Sequence, residues 1–368
     1  IGSVNGSYLA QTLTSRLGYG VKTGEPFFTP GCTSTSQCVF PNAVIPQHAW
    51  SLPSQSTLHY IPLPNAGTDV FSSGAEKQRL NDDKGSVRLD LNTEKCGSFY
   101  IYYFTDKYDL NNPYPSGFGG ASVLGFNALS NGLSQVAILS HTIAFGPAAV
   151  NEARLSFTRM NNQLGTPQGG VGVSLADQGF STGPSGIQLG FPKYVGVETL
   201  YFNTFTIGTN PFSLDQVNNT YEVSDSFSRV RGNHTIKLGG QYTKYRVKQL
   251  PNLVANGTFS FFGSGAQSTG NGFADFLLGL PDNYSQQSSP AFYELSVNAG
   301  VFAQDSWRLL SNLTLNYGLR WDYIRPWSED HNQSSTLIYG QNSVQFPGAP
   351  TGYVLPGDPG VPSTIAPT

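Results

Sequence analysis

This sequence contains few charged residues. Asp, Glu, Lys and Arg account for 12% of its 368 residues, whereas typical soluble domains contain roughly 25%. It also lacks a run of about 20 consecutive apolar residues, which excludes a membrane-spanning helix, and no signal peptide is recognisable at its start. The net charge of −3 gives no electrostatic basis for binding nucleic acid. Charge depletion without long apolar runs is unusual for a cytosolic protein, and a membrane role would have to use β-strands.

Methionine is nearly absent as well. The chain starts at Ile1, Met160 is its single methionine, and its last residues form no obvious closing element. These features predict an internal fragment of a longer protein, although a processed mature protein would also lack the initiator methionine. Aromatic residues, by contrast, are abundant at 13%, and Gly (42) and Pro (24) are frequent.

Only three cysteines are present, and they offer little for metal chemistry. Cys32 and Cys38 lie close together in a polar loop, and their spacing favours a local disulfide in an oxidising compartment. A metal pair is the alternative, but no other Cys or His pattern completes a zinc site. The five histidines form no closely spaced pair, so we predict no metal and no cofactor. We assign no role to Cys96.

One segment matches a catalytic motif. Residues 179–183, Gly-Phe-Ser-Thr-Gly, fit the G-x-S-x-G pattern, in which a preceding strand and a following helix expose the nucleophile. Here the segment lies in a Gly/Ser/Pro-rich loop, where such matches arise by chance. A secreted hydrolase that uses Ser181 or unpaired carboxylates is the weakest alternative function. We predict no catalytic residues and no enzymatic activity.

The clearest β pattern covers residues 313–323. Every odd-numbered residue in this segment is apolar or aromatic, and the even-numbered residues are polar, charged or glycine. Because strand side chains alternate between faces, one face is apolar and the other polar. A tilted membrane-spanning strand needs about 9–11 residues, and aromatic residues collect at one end, as a membrane interface requires. We therefore predict membrane-girdle aromatic residues at Trp307, Trp321, Tyr323 and Trp327.

Similar strands occur in pairs, which predicts four β-hairpins with short turns. The predicted hairpins pair segments near residues 87–91 with 99–104, 136–145 with 153–157, 221–227 with 236–242, and 295–303 with 313–323. The segments between hairpins are far longer and rich in Gly, Asn, Ser and Pro; they cover residues 106–132, 161–219 and 250–290, the last with a possible helix over 272–280. Loops beyond about 12–15 residues are uncommon in compact soluble domains, whereas outer-membrane barrels alternate short turns with long loops. This asymmetry indicates a membrane barrel.

The polar faces of these strands carry charged side chains that can line a lumen. Their ordinary role in a barrel is to keep a water-filled or plugged interior solvated and paired, and substrate contact is the alternative. The residues predicted to face the lumen are Arg88, Asp90, Glu152, Arg154, Lys237, Arg320 and Asp322.

Several segments resemble motifs of the TonB-dependent receptor family. Residues 301–308 (VFAQDSWR) and 312–322 (NLTLNYGLRWD) resemble its Q-D-x-W … L-T-L-N-x-G-L-R hairpin, and residues 234–240 (HTIKLGG) resemble its H-T-L-K-F-G-G strand. Residues 271–279 (NGFADFLLG) resemble a loop of the Oar-like branch of that family. The segments that resemble the branch's loop just inside the barrel are 24–27 (GEPF), 41–46 (PNAVIP) and 60–65 (YIPLPN).

The resemblance implies a plugged barrel, typically of about 22 strands, that imports a large or chelated nutrient across the outer membrane with energy from TonB. No plug, TonB-contacting segment or terminal aromatic strand is recognisable. We therefore expect an all-β fold, namely an incomplete antiparallel transmembrane β-barrel: a curved meander sheet with short turns on one rim and long loops on the other. The implied partners are the outer-membrane bilayer and, for the parent protein, TonB and an unknown nutrient, but no nucleic acid.

The partial barrel domain is expected to cover residues 1–368. We assign residues 1–80 to an early barrel and extracellular loop region, 81–346 to successive hairpins with long loops, and 347–368 to a Pro/Gly-rich loop. The alternative function is surface adhesion or carbohydrate binding by a β-sandwich or fibre module, whose apolar strand faces would pack against a second sheet. The two hypotheses differ in whether Leu315, Tyr317 and Leu319 face outward.

Overall fold

Eight long β-strands dominate the computed structural model, which describes residues 2–68, 70–72, 76–188, 194–254, 256–287, 291–331 and 333–361. Short strands and helices occupy the segments between them. In chain order the strands are β1 (Arg79–Thr93), β2 (Gly97–Asn112), β3 (Ala128–Ala144), β4 (Ala149–Pro167), β5 (Thr199–Phe202), β6 (Thr206–Ile207), β7 (Phe212–Arg231), β8 (His234–Leu253), β9 (Thr258–Phe261), β10 (Asn283–Ser285), β11 (Phe292–Leu310), β12 (Leu313–Ile324), β13 (Ser328–Glu329), β14 (Thr336–Leu337) and β15 (Tyr353–Val354).

Three α-helices lie outside the long strands. They are α1 (Ser7–Leu17), α2 (Leu52–Thr57) and α3 (Gly272–Leu278), so the helix predicted over 272–280 is confirmed. Single 3₁₀ turns occur at Pro41–Ala43, Gln47–Ala49, Leu58–Tyr60, Pro115–Phe118, Gly146–Ala148 and Gly183–Ser185. Within the part of the chain that the structure describes, no helix is long and apolar enough to cross a membrane.

The long strands form one antiparallel meander in the order β1-β2-β3-β4-β7-β8-β11-β12, with β13 paired to β11. Each long strand pairs with the next long strand of the chain. The sheet is open, because β1 and β12 both lie at its edges. The predicted all-β antiparallel fold, an incomplete barrel sheet, and its four hairpins are confirmed.

The connections alternate in length as predicted. Within the hairpins they cover residues 94–96, 145–148, 232–233 and 311–312, whereas between hairpins they cover 113–127, 168–211 and 254–291. Gly232 has a φ of +59° in the two-residue turn after β7, a backbone conformation in which a side chain would be strained. All short turns lie on one rim of the sheet and all long connections on the other.

The strands are longer than the sequence analysis predicted. β7 and β8 each contain 20 residues, and the apolar alternation of β8 covers only its first half. In the remaining half, Lys244, Arg246 and Lys248 occupy the face that was apolar, and Tyr245 and Val247 lie on the other face. The original alternation therefore ends while backbone pairing continues. The connections of 106–132, 161–219 and 250–290 were therefore predicted too long, because the first residues of all three and the last residues of the first two belong to strands.

The hydrophobic core does not lie on the long sheet. It lies in a layer that we call the cap, formed by residues 2–65 and by the described parts of the long connections, namely 113–127, 168–188, 194–211, 254 and 256–287. One buried cluster joins α1 and the loop around Phe27 to Leu278 and Leu280, and a second joins Phe126, Leu200 and Phe261 to Phe276. A small sheet in the order β10-β9-β5-β6, with β5 parallel to β9, connects two of the long loops.

No strand of the long sheet occurs before Arg79 among the described residues. The region assigned to residues 1–80 instead contributes α1, α2 and three 3₁₀ turns to the cap. Residues 336–361 form a small unit around the β14–β15 pair, and the last seven residues of the predicted Pro/Gly-rich loop lie outside the described residues.

Candidate functional site: the sheet faces and the cap

One face of the long sheet, which we call the apolar face, carries a continuous row of apolar side chains. Strand pairing places one residue from each long strand in this row, and seven of the eight are large apolar or aromatic residues. The row consists of Leu89, Ile101, Leu139, Leu155, Val223, Tyr242, Ala299 and Tyr323. Exposure of such an apolar band to water is unfavourable, but the band matches the lipid-facing band of an outer-membrane barrel.

The apolar face is exposed rather than packed. Leu315, Tyr317 and Leu319 are 41%, 56% and 78% exposed, and within the described residues no second sheet covers them. A β-sandwich would bury these side chains between two sheets. The sandwich form of the adhesion hypothesis is therefore wrong for this fold.

Three of the predicted girdle residues lie on the apolar face. Trp321 and Tyr323 stack with ring centroids 6.4 Å apart, and Trp307 stacks on His234 at 5.3 Å near the short-turn rim. The rows of Trp307 and Tyr323 are eight residues apart along β11, so a tilted strand separates them by about 20 Å along the membrane normal. Trp327 lies apart from the other three, against Tyr245, which belongs to the opposite face.

The opposite face, called the polar face, carries all seven residues predicted to line the lumen. Register places Asp90, Arg154 and Asp322 in a single row of this face. Lys237 lies nearer the short-turn rim, in line with Ser228 and Gln304. The pairing therefore brings these side chains to one face, whatever their separation in sequence.

Six of the seven form ion pairs within their own strands. Each pair joins residues two positions apart, which point to the same face. The pairs are Arg88–Asp90 at 2.8 Å, Arg154–Glu152 at 3.2 Å and Arg320–Asp322 at 2.7 Å. Charges that are paired in this way keep a face hydrated without adding net charge, which is the ordinary role of lumen residues.

Gly300 makes room for the Arg320–Asp322 pair on the adjacent strand. A Cβ atom at Gly300 would lie 2.3 Å from Asp322 Oδ1 and 2.6 Å from Arg320 Nη2. A side chain at this position would displace the ion pair, so glycine is required by close approach rather than by backbone conformation.

A cleft of about 380 Å³ lies in the cap, between α2, the loop at residues 179–181 and α3. Phe180, Phe261 and Phe276 give it an apolar wall, and Ser54 and Arg16 contribute polar groups. Arg16 Nη1 donates hydrogen bonds to Ala49 O at 3.2 Å and Leu278 O at 3.1 Å. Burial lowers the pKa of Arg16. An apolar cleft with a few polar groups is the usual form of a ligand pocket.

Ser181 also lies at this cleft. The segment around it consists of turns, a bridge to Ile187 and a 3₁₀ turn, which is not the strand-to-helix elbow that exposes a catalytic serine. Among the described hydrogen bonds, none joins Ser181 Oγ to a histidine or a carboxylate. The loop interpretation of this motif agrees with the structure.

Glu198 is a buried carboxyl that the sequence analysis missed. Its side chain is 0% exposed, and neither oxygen has a hydrogen-bond partner among the described residues. Burial raises the pKa of Glu198 well above its ordinary value. Burial and the nearby Glu198 carboxyl also raise the pKa of Tyr284 to about 12. The signal in the sequence was a lone acidic residue within the otherwise apolar and uncharged segment 195–202.

Cys32 and Cys38 form a disulfide with an S–S distance of 2.00 Å in the cap. Cys96 is free and exposed in the short turn between β1 and β2. The part of the chain that the structure describes contains no group of three or more His, Cys, Asp or Glu side chains able to hold a metal ion.

Comparison with known families agrees with this architecture. The family model for an outer membrane beta barrel domain matches residues 8–368, which is nearly the whole chain. The chain therefore belongs to this family, and the predicted location in the outer membrane is confirmed. A search of curated proteins found no match.

Proposed function

We propose that this chain is part of a TonB-dependent receptor, of the Oar-like branch, that imports a large or chelated nutrient and has no enzymatic activity. The observation that carries the proposal is the folded cap at the long-loop rim. An open diffusion pore works best with an unobstructed mouth, whereas here three long connections and the N-terminal segment pack around two buried clusters. A folded cap with a cleft is suited to capturing a ligand.

Capture at the rim must be followed by passage along the polar face. The in-strand ion pairs leave that face hydrated and nearly neutral, so it favours no single sign of charge. A ligand held tightly in a cleft is released slowly unless energy is supplied, and the resemblance to TonB-dependent receptors implies TonB as the source of that energy. The membrane edges of β1 and β12 require pairing partners, because unpaired strand edges do not occur in lipid.

The test is uptake by cells that express the full-length protein. A panel of ferric chelates, oligosaccharides and peptides is supplied, and depletion of each from the medium is followed by mass spectrometry. We expect depletion of at least one compound to require both the protein and TonB. Uptake that persists at the same rate without TonB would indicate a passive channel and overturn the proposal.

Two substitutions at one position test the cleft. Ser181→Trp places a large side chain at the cleft and is expected to lower uptake several-fold, whereas Ser181→Ala leaves its volume and uptake unchanged. Loss of a hydrolytic activity in Ser181→Ala would support the hydrolase alternative instead. Equal uptake by Ser181→Trp and the unmodified protein would place capture elsewhere in the cap.

A further inference from the structure

Five cationic side chains lie together on the apolar face, where its apolar band ends on the long-loop side. They are Arg159 on β4, Lys244, Arg246 and Lys248 on β8, and Arg325 directly after β12. Each lies an even number of residues from a member of the apolar row, which places it on the same face. The backbone N–H of Arg325 donates to Val297 O at 2.9 Å, so the strand pairing continues to this residue.

Register brings the five cations close together. Arg159 and Arg246 flank Asn219 in one row, and Lys244 and Arg325 flank Val297 in the next. With strands about 4.8 Å apart and residues about 3.4 Å apart along a strand, the cations fall within a patch of roughly 19 by 14 Å.

The described residues show no ion pair within the patch. Their neighbours are neutral: Arg159 Nη1 donates to Asn219 Oδ1 at 3.0 Å, and Lys248 Nζ lies 5.3 Å from the ring centre of Tyr293. This differs from the polar face, where most cations are paired with a carboxylate two residues away.

Two nearby carboxylates point away from the patch, whereas a third, Asp215, lies on the apolar face one row beyond Lys248 on the long-loop side. Glu222 pairs with Thr243 and Glu294 pairs with Val247 across the strands, and both lie on the polar face because they alternate with the residues of the apolar face. The positive potential of the patch is therefore directed outward, toward whatever surrounds the barrel at this height.

We propose that this patch, Arg159, Lys244, Arg246, Lys248 and Arg325, binds the phosphate groups of anionic lipids in the bilayer leaflet on the long-loop side. The apolar row immediately below it, which includes Leu155, Val223 and Tyr242, packs against acyl chains while the cations meet the headgroup. Clusters of about four to eight Lys and Arg residues beside a membrane are typical of anionic lipid recognition. The proposal depends on the membrane location of the sheet and is independent of what the cap captures.

The test uses the full-length protein in a non-ionic detergent, with lipid binding followed by native mass spectrometry. The probes are phosphatidic acid, which carries a phosphate monoester, phosphatidylcholine as the neutral control, and inorganic phosphate as a competitor. We expect phosphatidic acid to bind at least about tenfold more tightly than phosphatidylcholine. The combined substitution Lys244→Gln, Arg246→Gln and Lys248→Gln is expected to remove that preference.

Arg229→Gln with Arg231→Gln is the matched control. These two arginines lie on the same face of β7 but at the short-turn rim, so their loss is expected to leave the preference for phosphatidic acid intact. Retained heat-modifiable migration on gels shows that each variant is folded. Unchanged preference in the folded triple variant would overturn the proposal, as would full displacement of the lipid by millimolar inorganic phosphate.

Discussion

Asp275 is the acidic residue of the phenylalanine-rich motif in the third long loop, and its hydrogen bonds show why the motif contains an acidic residue. It is fully buried and accepts hydrogen bonds from Ser268 Oγ at 2.5 Å, Thr269 N at 2.6 Å and Thr269 Oγ1 at 2.7 Å. Asn271 caps the same helix, with Oδ1 accepting from Phe273 N and Ala274 N at 3.0 Å. The motif thus forms the start of α3, and hydrogen bonds to Asp275 attach this helix to the loop that precedes it.

We expect Asp275→Ala to destabilise the cap by about 2–4 kcal/mol, because it leaves several buried donors without an acceptor. Asn271→Ala, which removes only the helix cap, is expected to cost about 1 kcal/mol. Hydrogen exchange of the α3 amides in the full-length protein measures both. Equal effects of the two substitutions would contradict the role assigned to Asp275.

Glu198 makes the stability of the cap depend on pH. Because burial raises its pKa in the folded state, the folded cap binds more protons than the unfolded cap between the two pKa values. Stability is therefore fully present below the unfolded pKa and is lost as the pH rises through the folded pKa. We expect hydrogen exchange of β5 and β9 to speed up with rising pH beyond its intrinsic dependence.

Glu198→Gln is the control for this pH dependence. The amide keeps the size of the side chain but does not ionise, so the excess exchange at high pH is expected to disappear. Parallel pH profiles of the two proteins would show that another group is responsible.

The individual strands show which parts of the fold were predictable from sequence. The alternation in β12 covers nearly the whole strand, so its prediction over 313–323 agrees closely with the observed Leu313–Ile324. In β8 the alternation stops near Tyr242, where the environment changes from lipid to water. The strand continues to Leu253 without an apolar periodicity that would predict it. The alternation of apolar and polar residues therefore indicates which part of a strand faces lipid. It does not indicate how far the backbone pairing extends.

The cap was less predictable than the sheet. Its clusters join residues that are far apart in sequence, such as Leu13 and Leu278, and no local pattern indicates such contacts. The faces of the lumen residues followed from alternation alone, because a strand needs no tertiary information to place them. The buried Glu198 required the fold, since an isolated carboxylate in sequence is usually solvated.

The apolar face of β4 tests the lipid exposure of the sheet. Leu155 lies in the middle of the apolar row, and the adjacent Ser156 points to the polar face beside Glu222. We expect Leu155→Arg to destabilise the sheet by about 2–4 kcal/mol, as for charges at the bilayer midplane. Ser156→Arg is expected to have little effect. Urea unfolding in lipid vesicles measures both variants, and similar losses would argue against a lipid-facing role.

At the scale of the whole molecule, labelling of Cys96 can determine the orientation of the protein in the membrane. It lies in a short turn and is exposed, so we expect a membrane-impermeant maleimide to leave it unlabelled in intact cells and to label it after permeabilisation. Ser174→Cys, in a long connection on the opposite rim, is expected to label in intact cells. Cys96→Ser gives the background from any other cysteine. The reverse pattern would place the long loops inside the envelope.

The length of the strands sets how far the cap stands from the bilayer. Residues 212–216 of β7 continue beyond the row of Lys248, and five tilted residues rise about 13 Å. The cap, where we propose that the ligand is captured, is therefore raised above the lipid headgroups and accessible to bulky molecules arriving from the side. A molecule released from it toward the short turns would travel about 50 Å along β8, so capture and delivery are events separated in space.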